Sequence, residues 1–192
     1  MQEKAQNFKK EKFPEKEELQ KILSEGVPQT AKFKITEKFK ITDLYSYENG
    51  NCVRRKTFVK ENIKLNAKLS EKDKENNECM GLYILYNKSE PVYVGISGTM
   101  IRRMKQHFFG KNHNESSLGY RMALEKYLEK NKKKYEGHRK RFPYEDYREE
   151  IQETMKEWEI AFIPETDNYK LYFKEIAYAC ILKTYWNSFE TH

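Results

Sequence analysis

Two short apolar runs, GLYILYN and PVYVGIS, fall within residues 81–97 with only Lys88, Ser89 and Glu90 between them. Both runs are rich in aliphatic and aromatic residues, and both have the length of a strand rather than of a helix. A run, a polar break and a second run form an antiparallel hairpin. This feature limits the fold more than any other, because later strands must join an antiparallel sheet and helices must cover it.

The downstream pattern supplies those elements. Thr99 is placed to cap a helix over residues 100–109, and Ser116 or Ser117 to cap a second, SLGYRMALEKYLEKN. In the second, Leu118, Met122 and Leu128 point towards the core. EDYREEIQETMK reads as a surface helix, and WEIAFIP as a third strand closed by Pro164. NYKLYFKEIAYACILKTYW reads as an unusually apolar helix reaching Asn187. The order predicts an α+β fold, a small and mostly antiparallel three-stranded sheet flanked by helices. Residues 130–157 read as a basic helical insertion. Between residues 130 and 141 it carries seven Lys and Arg against the single acid Glu136.

Ahead of the hairpin the signals weaken. Residues 1–14 read as a frayed arm. PEKEELQKILSEG reads as a short helix with Leu19, Ile22 and Leu23 on one side, stopped by Gly26. Residues 31–65 alternate weakly about a turn at residues 48–51, as a hairpin or two strands would. The polar run SEKDKENNE, residues 70–78, has no apolar anchor. It marks the expected boundary between an N-terminal accessory segment, 1–78, and a domain over 79–192.

The chain carries a net charge of +7, which favours polyanionic partners. The excess is spread over both halves, so only local clusters argue for nucleic acid. Cys52, Cys79 and Cys180 form no Cys-x-x-Cys pair, which argues against a disulfide framework and a zinc knuckle. No apolar run approaches the ~20 residues of a membrane helix, and the N-terminus lacks the apolar centre of a signal peptide. A reduced, cytoplasmic protein is expected.

Four features could carry chemistry. Tyr83 and Tyr93 sit on consecutive strands, and Gly95 lets a ligand or backbone approach closely. Tyrosine pairs are also ordinary cross-strand packing. Arg103 and His107 are one helical turn apart and share a face suited to gripping a phosphate. No acid occurs over residues 91–114, so Lys105 and Lys111 stay locally unneutralised. Glu175 is the sole carboxylate between Asp167 and Glu190, on an apolar helix where an unmatched charge is costly. Either a divalent metal meets it, or Lys174 or Lys183 pairs with it. His113, in the loop FFGKNHNESS, could reach the same site, whereas His138 and His192 belong to no constellation.

Taken together, Gly81-Leu82-Tyr83, Tyr93-Val94-Gly95, Ser97, Arg103, His107, Glu175 and Asn187 resemble the GIY-YIG nuclease superfamily. The resemblance spans residues 81–189. It implies a phosphodiesterase dependent on Mg²⁺ or Mn²⁺, with Glu175 holding the metal and Tyr83 activating the attacking water. Tyr93 would orient the water or phosphate, and Arg103 would stabilise charge on the scissile phosphate. His107 would assist the phosphate or Tyr83, and Asn187 would fix the end of the metal-bearing helix. Leu82 and Val94 stand where the family most often has isoleucine.

Two function classes follow. One is an endonuclease cutting double-stranded DNA, of restriction type since no helix-turn-helix or zinc-finger appendage is read, and able to act as a homodimer. Its backbone contacts would come from Lys105, Lys111, His113, Lys132, Lys133, Lys134, Arg139, Lys140 and Arg141. The other is an inactive nucleic-acid-binding or interaction module on the same scaffold.

Overall fold

A computed structural model describes residues 15–26, 37–48, 51–62 and 78–188. The expectations for residues 1–14, 31–36 and 70–77, for the tip of the turn at 49–50, and for His192 lie outside these. In chain order the elements are α1 (Lys16–Gly26), β1 (Phe39–Lys40), α2 (Ile41–Leu44), β2 (Tyr45–Glu48), β3 (Asn51–Arg54), α3 (Lys56–Asn62), β4 (Gly81–Asn87) and β5 (Glu90–Ser97). There follow α4 (Met100–Phe109), α5 (Ser117–Asn131), a single 3-10 turn (Arg139–Arg141), α6 (Glu145–Lys156), β6 (Glu159–Pro164) and α7 (Asn168–Leu182).

β4 and β5 form the hairpin, with Tyr83 opposite Gly95 and Leu85 opposite Tyr93. Lys88 and Ser89 both turn with positive φ, 49° and 69°, the backbone that suits the twist of a two-residue hairpin loop. The sheet order is β1-β6-β4-β5, with every neighbouring pair antiparallel. Three strands were expected; a fourth, the two-residue β1, pairs Phe39 with Ile160 at the far edge.

Alternation along the central strand β4 sorts its side chains onto two faces. Tyr83 and Leu85 join a core with Met104 and Phe108 of α4, Leu118 of α5, Ile151 and Met155 of α6, and Trp158. Leu82, Ile84 and Tyr86 join Val94, Ala161 and the Leu171, Tyr178 and Ala179 stripe of α7 on the other face. The sheet is thus covered by helices on both sides, and α6, expected as a surface helix, buries Tyr147, Ile151 and Met155 at four-residue spacing.

The N-terminal segment is built into this core. Ile41, Leu44, Tyr45 and Val59 share the first cluster, and Phe39 meets Phe58 edge-on with ring centroids 5.6 Å apart. The Tyr45 hydroxyl donates to the Ile101 carbonyl of α4 at 2.7 Å, and α1 packs along α7.

Three local expectations need correction. Leu128 is 39% exposed, because α5 has turned its last turns away from the core. The basic stretch of the insertion is loop and one 3-10 turn, not helix, since α5 stops at Lys132 in the left-handed conformation (φ 55°). The last helix ends at Leu182, not Asn187, with Lys183 again left-handed (φ 51°).

Candidate active site

Tyr83 is 1% exposed and His107 is 0% exposed. The Tyr83 hydroxyl lies 2.7 Å from His107 Nε2. Tyr93 completes the triangle, its ring centroid 6.2 Å from that of Tyr83 and 5.6 Å from that of His107. Gly95 makes room for it: a Cβ there would lie 2.5 Å from Tyr83 Cζ and 3.0 Å from Cε2, so any side chain would displace the ring.

Burial pushes the Tyr83 hydroxyl well above the usual tyrosine pKa. Tyr93 and Glu175 push the same way, and the charge of Arg103 opposes them. Burial, helped by Arg103, pushes His107 well below its ordinary value, so its ring is neutral. Nδ1 is buried with no hydrogen-bond partner among the described residues. The Tyr83 hydroxyl and His107 Nε2 share one buried hydrogen bond, whose direction follows the tautomer of the ring. His107 is therefore sealed beneath Tyr83. It meets Tyr83 and Tyr93 rather than solvent, which fits the reading that it assists the tyrosine.

Arg103, one turn earlier on α4, is half-buried and held from the other side. Its guanidinium donates to Gln106 Oε1 at 3.1 Å, to the Glu115 carbonyl at 3.2 Å and to Ser117 Oγ at 3.2 Å. The loop between α4 and α5 thus fixes the cation beside Tyr83. Ser116 steadies that loop: its Oγ donates to the His107 carbonyl at 2.8 Å and accepts from Gly119 N–H at 3.2 Å.

Glu175 sits half-buried on α7, four residues after Leu171 and three before Tyr178, on the stripe that faces the sheet. It makes no hydrogen bond or ion pair among the described residues. Lys174 is committed elsewhere, donating to Glu165 Oε2 at 2.7 Å, and Lys183 forms the exposed left-handed cap, so neither neutralises Glu175. Burial holds the Glu175 carboxyl above the usual range. Its charge raises the pKa of both Tyr83 and Tyr93. The acid thus acts electrostatically on both phenols.

Asn187 lies five residues beyond the end of α7. Its side-chain amide pairs with the open edge of β5, accepting from Val94 N–H and donating to the Val94 carbonyl, each at 2.8 Å. Thr184 Oγ1 donates to the same Asn187 oxygen at 2.8 Å. The amide stands in for a strand and ties the segment after α7 to the strand that carries Tyr93. It reaches no catalytic group.

The expected nucleic-acid contacts divide in two. Arg139 donates to the His113 carbonyl at 3.1 Å and stacks its guanidinium over Tyr120, 4.6 Å from the ring centroid. His113 packs on the same ring, so the basic loop is docked on the loop that holds Arg103. Lys132, Lys133, Lys134, Lys140 and Arg141 are exposed around it, and Lys111 is exposed nearby. Lys105 instead donates to the Cys52 carbonyl at 3.2 Å, tying α4 to β3.

Two charged residues at the site were not singled out from sequence. Arg121, on α5, lowers the pKa of Tyr93, which burial otherwise raises. Nothing in its helical context distinguishes it from a solvated arginine. Glu78 is 2% exposed and accepts from the Arg102 N–H of α4 through both oxygens, each at 3.1 Å, while paired with Arg54. It sat unseen at the end of a polar run.

Residues 79–170 match the GIY-YIG catalytic domain, and this stretch of the chain is a domain of the GIY-YIG nuclease superfamily. The family is one of nucleases, which act on nucleic acid. The match covers Tyr83, Tyr93, Arg103 and His107 and stops short of Glu175 and Asn187, whose places rest on the geometry above. No characterised protein and no solved structure matches the chain.

Proposed function

We propose that the chain is a divalent-metal-dependent endonuclease hydrolysing phosphodiester bonds of double-stranded DNA, in a restriction-type role. The observation that carries this is Glu175, a half-buried carboxylate with no partner cation among the described residues, acting electrostatically on two phenols. The donor set fits Mg²⁺ or Mn²⁺: among the described residues no cluster of three His, Cys, Asp or Glu offers a cage, and Mg²⁺ commonly uses one or two carboxylates plus phosphate oxygens and water. Held by Glu175, such an ion supplies Lewis-acid stabilisation of the phosphate and offsets the carboxylate charge.

The chain's own residues do the rest. Arg103, fixed by Gln106, Glu115 and Ser117, stabilises charge developing on the phosphate. Tyr83 acts as base for the attacking water by giving its own proton to His107 Nε2, 2.7 Å away, as it takes the proton of the water, and the charge of Arg103 favours the phenolate character this needs. Tyr93 orients water or phosphate beside it.

The test is plasmid cleavage by wild type with Mg²⁺, with EDTA, and by Glu175→Ala. Cleavage that needs Mg²⁺ and disappears in Glu175→Ala supports the reading. Cleavage unchanged in Glu175→Ala rejects Glu175 as metal ligand. Binding without cleavage of DNA or RNA by wild type would assign the chain to the inactive binding class.

A further inference from the structure

A cavity of about 220 Å³ opens between the end of β5 and the start of α7. Its apolar wall is Met80, Ile96 and Leu171, and at its mouth stand Ser97 and Tyr172. No charged residue lines it. Tyr172 is 62% exposed, with no aromatic contact and no hydrogen bond among the described residues, and Ile176 one turn on is 49% exposed. Ser97 Oγ accepts from the Thr99 N–H at 3.0 Å and keeps its own proton to donate.

Position ties this cavity to the cleft. Leu171 precedes Glu175 by one helical turn, a rise of about 6 Å. Ser97 and Gly98 lead directly into α4, whose ten residues span about 15 Å, with Arg103 along its length and the loop that docks the basic residues at its far end. A strand whose phosphates follow the basic loop and Arg103 would continue past Glu175 and present its next nucleotide to this cavity. A phosphate is poorly served there, because the lining has no cation and Asp167 caps the adjacent helix start. A planar group with an apolar face and a polar edge is well served.

We propose that this cavity receives a nucleobase flanking the scissile phosphate, turned out of the duplex and stacked on Tyr172 with an edge acceptor facing Ser97. The assignment rests on the nuclease reading and names the part of the substrate that the site holds besides phosphate. Stacking of this kind tolerates any base, so it gives affinity and registers the strand without reading sequence.

The experiment measures binding in EDTA of two probes: a mixed-sequence single-stranded oligodeoxynucleotide, and an abasic oligomer with the same number of phosphates. Wild type should prefer the base-bearing probe. Tyr172→Ala should lose about 5- to 150-fold in affinity for it, the equivalent of one stacked base, with abasic binding unchanged, and Tyr172→Trp should restore the preference. Tyr172 is exposed, so the variants should keep wild-type circular dichroism and Tm. Equal binding of both probes by wild type and Tyr172→Ala overturns the base site and leaves the nuclease reading intact. Failure of wild type to bind either probe overturns the base site and leaves the nuclease reading to the plasmid assay, which uses duplex DNA and Mg²⁺. Self-association of wild type that is lost in Tyr172→Ala assigns the surface to a second copy of the chain and overturns the base site.

Discussion

The start of α4 and the middle of α7 each take a glutamate out of water, and the protein treats the two in opposite ways. Glu78 is met on all sides: the Arg54 guanidinium pairs with it and the Arg102 N–H bonds both its oxygens, at the helix end where negative charge is favoured. Glu175 meets no cation or donor among the described residues, while its neighbour Lys174 is drawn off to Glu165. Compensation marks a carboxylate that holds structure, here docking β3, which carries Arg54, onto the helix of Arg103 and His107. A half-buried acid with no cation among the described residues, acting on two tyrosines, marks a place for a cation that arrives with the substrate.

The comparison breaks most sharply on the chemical groups. Tyr83→Phe keeps the ring that fills the space over Gly95 and removes only the hydroxyl. It should lower the plasmid-nicking rate by about 10²- to 10⁴-fold, and lower stability by only about 1–3 kcal/mol through the lost bond to His107, so that the variant stays folded at the assay temperature. A rate within a few-fold of wild type would move the base elsewhere. Removing one partner of the compensated pair should act on stability instead: Arg54→Ala is expected to cost about 3 kcal/mol in urea unfolding, the scale for orphaning a buried charge. If Arg54→Ala unfolds at the wild-type urea midpoint, the Glu78 network is not structural.

Acid separates the regions further. His107 is neutral when folded and gains a proton on unfolding below about pH 6.5, its ordinary value. The unfolded state then binds more protons, so this contribution to stability is complete above about pH 6.5 and is lost as pH falls through the lowered folded pKa. Urea midpoints measured downward from pH 7 should fall in wild type and fall less in His107→Gln. Identical slopes would contradict the buried neutral ring.

Much of this was legible because local rules carried it. Arg103 and His107 had to share a face at four-residue spacing, and the two apolar runs around Lys88 and Ser89 had to pair. Glu175 stood out because its helical neighbours are apolar. What sequence hid were choices made by tertiary contact. Glu78 looked like the last residue of a linker, because its partner Arg54 lies 24 positions away. The end of α7 was overrun because a left-handed lysine, unlike glycine, announces no stop. Whether His107 would serve the phosphate or Tyr83 was open in the sequence, because burial beneath Tyr83 leaves no trace in a one-turn pattern. The strand β1 is too short, at two residues, for alternation to show.

The most direct test is thermal unfolding of wild type and Glu175→Gln at neutral pH, without and with Mn²⁺. The folded pKa of Glu175 is raised, so its ionised form weakens the fold at neutral pH and costs nothing below the ordinary carboxylate pKa. Without metal, Glu175→Gln should melt above wild type. With rising Mn²⁺ the wild-type Tm should climb, by the equivalent of about 2.7 kcal/mol at a hundred times Kd, while the variant stays where it is. A variant that melts below wild type without metal, or that shifts with Mn²⁺ as much as wild type does, would contradict the account.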